Sequence, residues 1–397
     1  MNLLSLFSGI GAFEKALDNE GIKYNLVNYC EIDKYASRSY AAIHNISEEL
    51  NLIDVTKVDT SSLSDIDLIT YGFPCQDISQ AGNQKGFTDK NGERTRSGLF
   101  FEALRIIKDL KPKYAIAENV KALTSKKFKV EFETVLSSLN DAGYNSYYDV
   151  LNAKDYGIPQ NRERVFIVSI RKDVDDGSFC FPKPQPLNIC LKDVLEENVD
   201  EKFYLSQDKI KSLKASSFCL KTKCVIEKKI EIVGHTKSGG ERSAILSTTG
   251  ICNCLSATDY KQPKQIVEDA KVMQVGNLIN DADKNFKNPQ RGRVYDSVGL
   301  SPCLSTMQGG GQEPKILNCN LNDTGCNNKG LAAINDFKVR KLTPLECWRL
   351  MGFSDEDFEK AKASGISNSQ LYKQAGNSIV VTVLQGILKN LFKNKDI

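Results

Sequence analysis

Short apolar runs and longer amphipathic stretches alternate through the first part of the chain. Leu3-Leu4-Ser5-Leu6-Phe7 is apolar and breaks at Ser8-Gly9-Ile10-Gly11, after which Glu14 to Asn19 has helical spacing. Further strand-like runs follow at Asn25–Cys30, Asn51–Val55, Asp67–Tyr71, Tyr114–Val120, Tyr144–Leu151 and Val165–Val168. Ser97 to Phe101 opens a helix that runs to Leu110 and is stopped by Pro112, and Phe128 to Ala142 forms another, ended by Gly143. Strands alternating with helices predict an open α/β sheet flanked by helices, with its chemistry on the loops at the strand ends.

The pattern changes after Arg171. Residues 172–338 carry short strand-like bursts and little helical periodicity, with Gly-rich turns such as Gln308-Gly309-Gly310-Gly311. Two stretches in this region share an order of residues. Arg242 to Lys264 holds Gly250, Cys254-Leu255-Ser256 and Pro263-Lys264, and Arg293 to Lys315 holds Gly299, Cys303-Leu304-Ser305 and Pro314-Lys315. Helical signals return from 339 onward. Thr343 is a suitable N-cap, Pro344 a suitable first residue and Glu346 completes a capping box, with Gly352 ending the helix. Ile379 to Phe392 is too apolar for an exposed helix, which predicts packing against the first segment. Three segments result: 1–171, a β-rich 172–338, and 339–397 returning to the first.

Composition narrows the class without naming a function. The 397 residues are 41% hydrophobic and 26% charged, ordinary for a globular protein, with a net charge of +3 that announces no partner by itself. No apolar run approaches a membrane span, so a cytoplasmic protein without membrane contact is expected. The twelve cysteines are scattered without a C-x-x-C pair and there are only two histidines, so no metal site is expected and Cys–His catalysis is disfavoured.

The strand ends carry the candidate chemistry. After Tyr71 the run Gly72-Phe73-Pro74-Cys75-Gln76 delivers a thiol onto a loop, either as a nucleophile or as a small buried hydrophobe. Phe7, Gly9 and Gly11 form a turn that a ligand can approach closely. Glu31, Asp54 and Glu118 each end a strand-like run. An acid after the second strand is placed to accept ribose hydroxyls, and Glu118 follows apolar residues that would raise its pKa. Arg162 and Arg164 alternate, so both leave one face of an extended segment, where they would clamp an anion or base edge or form a salt bridge.

Taken in order, Phe-Ser-Gly-x-Gly, Gly-Phe-Pro-Cys-Gln, Glu-Asn-Val, Gln-x-Arg-x-Arg, Arg-Lys-Leu-Thr-Pro-x-Glu and Gly-Asn-Ser before a last helix resemble the cytosine-5 DNA methyltransferases. The resemblance covers the first 171 residues and the last 58 or so. It implies a Rossmann-like S-adenosylmethionine-dependent methyltransferase domain with a mixed sheet flanked by helices, and a smaller, irregular β-rich target-recognition domain at 172–338. Cys75 would be the nucleophile toward C6 of a flipped cytosine, Glu118 the proton donor at N3 and Arg164 the holder of the base edge. Arg162 and Gln160 would support that pocket, and Pro74, Gln76 and Ser79 would meet the substrate. Phe7, Gly9, Gly11, Glu31, Asp54, Val55, Leu99, Asn377 and Ser378 would line the cofactor pocket.

The partner implied is double-stranded DNA, met by a monomer and read at one short site. In a restriction-modification system a cognate restriction endonuclease would accompany it. A tRNA cytosine-5 methyltransferase shares the catalytic set but carries a short insert, unlike 172–338. A catalytically silent DNA-binding scaffold would lack Cys75 or Glu118, and a small-molecule methyltransferase would have no use for the thiol.

Overall fold

The computed structural model describes residues 1–74, 87, 96–189, 191–204 and 342–393, together with eight short strands between 232 and 341. It divides into two compact units. The first comprises Met1–Val199, Ser301–Glu313 and Leu342–Ile397, and the second Asp200–Leu300 and Pro314–Lys341.

In the first unit the chain runs β1 (Asn2–Leu6), α1 (Ala12–Asn19), β2 (Asn25–Cys30), α2 (Lys34–His44), β3 (Leu68–Tyr71), α3 (Phe100–Leu110), β4 (Tyr114–Val120), α4 (Lys129–Asp141), β5 (Tyr144–Asn152), β6 (Gln160–Asn161) and β7 (Glu163–Arg171). Six strands form one sheet in the order β2-β1-β3-β4-β7-β5. The first four are parallel, while β7 runs antiparallel between β4 and β5, so the sheet is mixed as expected. All four residues of β3 are buried, which is why that strand reads as an unbroken apolar run.

Asn51–Val55, expected as a strand, is not one. Asn51 makes a single bridge to Tyr29, and its side-chain oxygen accepts from the amides of Glu31 and Ile53 at 2.9 and 2.8 Å. Ile53 then takes a left-handed φ of +63°, and Asp54 caps a short turn at Val55–Lys57. A side chain that bonds nearby backbone in this way competes with strand pairing.

The C-terminal helices are α5 (Pro344–Arg349), α6 (Asp355–Ala363), α7 (Asn368–Asn377) and α8 (Val381–Leu391). The capping box forms as read. Thr343 Oγ1 accepts from the Glu346 amide at 3.2 Å, and Glu346 Oε2 accepts from the Thr343 amide at 2.8 Å. Helix α5 closes at Arg349, and Gly352 follows with φ +82°. Gly376-Asn377-Ser378 ends α7 and precedes α8, whose buried face of Val381, Leu384, Ile387, Leu388 and Leu391 packs along α1. The chain's end thus returns to its beginning.

The first unit extends past the expected boundary at 171. Residues up to Val199 run back over it, tied by Tyr156 Oη donating to the Pro182 carbonyl at 2.8 Å and by the Glu196 amide donating to Glu346 Oε1 at 2.9 Å. Boundaries of this kind follow contacts that composition does not register.

The strands between 232 and 341 are β8 (Ile232–His235), β9 (Ala244–Ser247), β10 (Gln265–Val267), β11 (Gln274–Asn277), β12 (Arg293–Asp296), β13 (Ser301–Pro302), β14 (Lys315–Asn318) and β15 (Lys338–Lys341). All but β13 belong to the second unit; β13 pairs with Gln160–Asn161 of β6 inside the first. The sequence repeat is also a repeat of strand pairing. Strand β9 pairs antiparallel with β8, with a register shift, and parallel with β10. Strand β12 does the same with β11 and β14. The Cys-Leu-Ser elements of both copies lie outside the described residues.

Candidate active site

Strand β4 ends the buried centre of the sheet, and its last turns carry Glu118 and Asn119. Antiparallel β7 sets Arg164 opposite Val120, one diagonal step from Glu118. The guanidinium Nε of Arg164 lies 3.0 Å from Glu118 Oε1, and both side chains are mostly buried. Burial raises the pKa of Glu118 above the ordinary carboxylate value, and the charges of Arg164 and Arg162 oppose that rise. A desolvated carboxyl keeps its proton to higher pH than an exposed one, which suits a proton donor.

Asn119 is turned the other way from its neighbour and is buried. Its Nδ2 donates to the Phe73 carbonyl at 3.1 Å, fixing the backbone just before half-buried Pro74. Phe73 itself packs in an aromatic group with Tyr71, Phe87 and Phe100. The loop bearing the thiol is therefore anchored at its root by strand β4. Cys75, Gln76 and Ser79 lie outside the described residues. Asn119 was legible as an amide beside a strand-end carboxylate, but nothing in the sequence showed that it reached Phe73.

Two expected site residues turn inward. Arg162 is buried, and its Nη2 donates to the carbonyls of Gly376 and Ser378 at 3.1 and 2.6 Å. Gln160 is fully buried, and its Nε2 donates to the Leu350 carbonyl at 2.7 Å. These contacts hold Arg162 and Gln160 against the C-terminal segment, while the charge of Arg162 still acts on Glu118. Both side chains fasten the C-terminal helices to the sheet, because helix-end carbonyls need donors and these strands run beside them.

The second group gathers at the ends of β1 and β2. Phe7, Gly9 and Gly11 all have positive φ, at 52°, 57° and 82°. A Cβ on Gly11 would come within 2.0 Å of His44 Nε2, whereas a Cβ on Gly9 would meet nothing within 4 Å. The turn is closed on its inner side and open at Gly9. Glu31 faces that opening: its Oε2 accepts from the Gly9 amide at 2.9 Å and its Oε1 from the Asp33 amide at 2.8 Å. Burial raises the Glu31 pKa, and those two amides pull it back.

Asp54 caps the Val55–Lys57 turn through the Thr56 amide and hydroxyl, which hold its pKa below the usual range. Val55 is buried, Leu99 is half-buried just before α3, Asn377 is exposed at the end of α7, and Ser378 is buried. Two residues not foreseen stand out beside these acids: Ile32 is 74% exposed and Ile53 59% exposed. An open glycine turn, a carboxylate with lone pairs to spare and two exposed apolar side chains suit an adenosine-bearing ligand with a ribose diol. Burial pushes the Cys30 thiol beside them up to about 12, which disfavours the reactive thiolate. No cluster that could hold a metal occurs among the described residues.

A mixed six-stranded sheet with an acidic, glycine-lined opening at one set of strand ends and a buried Glu–Arg pair at the next defines a nucleotide-cofactor transferase fold. The family of C-5 cytosine-specific DNA methylases matches residues 1–393, and the chain belongs to it. An orphan methyltransferase of Bacillus phage SPR, M.SPRI, is 36% identical over 98% of this chain and 97% of its own. The type II methyltransferase M.HhaI of Haemophilus parahaemolyticus is 32% identical over 98% of this chain and 94% of its own. In fold, the chain superposes on the Entamoeba histolytica methyltransferase EhMeth with a TM-score of 0.64 at 15% identity, covering 100% of this chain and 99% of that one.

Proposed function

We propose that the chain transfers a methyl group to C5 of a flipped-out cytosine in one short sequence of double-stranded DNA, acting as a cytoplasmic monomer. S-adenosylmethionine would supply the electrophilic methyl group. Glu31 would accept its ribose hydroxyls, the Phe7–Gly11 turn would border its methionine side, and Asp54, Val55, Leu99, Asn377 and Ser378 would close the pocket. The exposed Ile32 and Ile53 would flank the purine.

The Cys75 thiolate adds to C6, forming the S–C6 bond and shifting the C5–C6 electron pair toward N3. The carboxyl of Glu118 meets the charge at N3 with a proton, and Arg164 holds the base edge. C5, now electron-rich, would take the methyl group as the donor's sulfonium C–S bond breaks to leave a thioether. A base then removes the C5 proton, that electron pair re-forms the C5–C6 double bond, the S–C6 bond breaks to free the thiolate, and N3 returns its proton to Glu118. Residues 172–338 would read base edges in the major groove, and 1–171 with 339–397 would carry the chemistry. No helix among the described residues is long and apolar enough to cross a membrane. A cognate restriction endonuclease is the partner expected in a restriction-modification setting.

The observation that carries this reading is the Arg164–Glu118 pair at the end of β4, beside the anchored Phe73-Pro74 root of the Cys75 loop. Bisulfite sequencing of DNA from cells expressing the protein or its Cys75→Ser variant tests it. Protected cytosines in one recurring context, absent from the variant, are expected. Equal patterns in the two samples would overturn the proposal.

A further inference from the structure

The carboxylate of Glu31 can receive a diol only if its own orientation is held. One of its two donors is the amide of Asp33, the N-cap of α2, whose Oδ1 takes the amides of Tyr35 and Ala36 at 2.9 and 3.4 Å. The other oxygen of Asp33 accepts from Lys373 Nζ at 2.5 Å, a contact across 340 residues of sequence. Both side chains are about a quarter exposed, so the pair is only partly screened. The next residue of α7 reinforces the junction. Gln374 Nε2 donates to the Tyr35 carbonyl at 3.0 Å, and its Oε1 accepts from Ser39 Oγ at 3.1 Å. One turn further along α7, the carbonyls of Gly376 and Ser378 take the guanidinium of Arg162, two residues before Arg164.

We infer that Lys373 is a positioning residue for the cofactor carboxylate Glu31, acting through Asp33. In this arrangement α7 is a strut between the acidic opening at β2 and the Glu118–Arg164 pair. The inference rests on the proposed cofactor role of Glu31. Truncating Lys373 leaves Asp33 without its cation and loosens the first turn of α2, and with it the amide that aims Glu31. Arg162 and the far end of α7 keep their contacts. The damage therefore falls on cofactor affinity and spares the chemical step.

Calorimetric titration of S-adenosylhomocysteine into the full-length protein without DNA tests this, alongside steady-state kinetics. For Lys373→Met we expect binding weakened roughly three- to tenfold, KM for S-adenosylmethionine raised by a similar factor and kcat within about twofold. Lys373→Arg should restore the affinity because it keeps a donor toward Asp33. Asp33→Asn, which preserves the helix cap, should reproduce the defect, and the double variant Asp33→Asn/Lys373→Met should be no worse than either single one. Asp33→Asn alone also serves if Lys373→Met does not fold. Unchanged affinity in the variants, or a fall in kcat at constant KM, overturns the positioning role while leaving the cofactor reading intact. Failure of the unaltered protein to bind S-adenosylhomocysteine overturns both.

Discussion

Arg164 on β7 reaches diagonally across an antiparallel pair to place its Nε 3.0 Å from Glu118 Oε1 on β4. Neither strand alone makes the site. The carboxyl is desolvated by the sheet around it, which raises its pKa, and the guanidinium opposes the rise.

Glu118 is therefore expected to give the reaction a pH dependence. A raised pKa keeps the neutral, proton-donating form populated to higher pH, so the rate should fall as pH rises through the folded value. Glu118→Gln should lower kcat by about 10²–10⁴-fold and abolish that alkaline limb. A pH–rate profile under single-turnover conditions measures both effects. An unchanged limb in Glu118→Gln would assign the titration to another group.

Arg164→Ala should move the same limb upward in pH, since removing its positive charge leaves burial opposed by Arg162 alone. Cytosine binding should weaken along with it. The comparison of limb positions in the two enzymes, at equal ionic strength, decides whether Arg164 tunes Glu118. A downward shift would contradict the electrostatic assignment.

Asn119 bonds the Phe73 carbonyl from a buried position. Asn119→Ala should cost about 1–3 kcal/mol of stability, because it leaves a buried carbonyl without its donor. Activity should fall further than stability explains, since the same bond fixes the root of the Cys75 loop. Chemical denaturation paired with kcat measurement separates the two. Wild-type kcat in a destabilised variant would show that the loop is fixed by other means.

Gly11→Ala should destabilise the first unit, with the new Cβ 2.0 Å from His44 Nε2. Adding His44→Ala should relieve the clash and leave a residual cost of about 1–2 kcal/mol for a non-glycine residue at positive φ. Thermal unfolding of the single and double variants measures the coupling. Additive losses would mean that His44 is not what the turn is shaped around.

The order of motifs was legible because each chemical residue sits where an apolar run meets a turn. Glu31 and Glu118 end strands, and Thr343, Pro344 and Glu346 spell out their own capping box within four residues. Periodicity is a local property, so β1 through β4, the helices α1 and α3 and the apolar α8 could be read from neighbours alone, whereas α2 was not foreseen. Asn51–Val55 misled because its hydropathy is that of a strand, while the Asn51 side chain diverts the backbone into a turn.

The sequence by itself thus determined the α/β class, the candidate acids and thiol, and the return of the C-terminal helix to the first segment. Only the tertiary structure decided which guanidinium faces the carboxyl and which holds the chain. Arg162 and Arg164 are two residues apart and alike in sequence terms. One meets Glu118, and the other meets the carbonyls of Gly376 and Ser378, more than 200 residues away. Long side chains find partners by proximity in space. The pairing of Lys373 with Asp33 and of Asn119 with Phe73 was fixed only when the helices docked on the sheet.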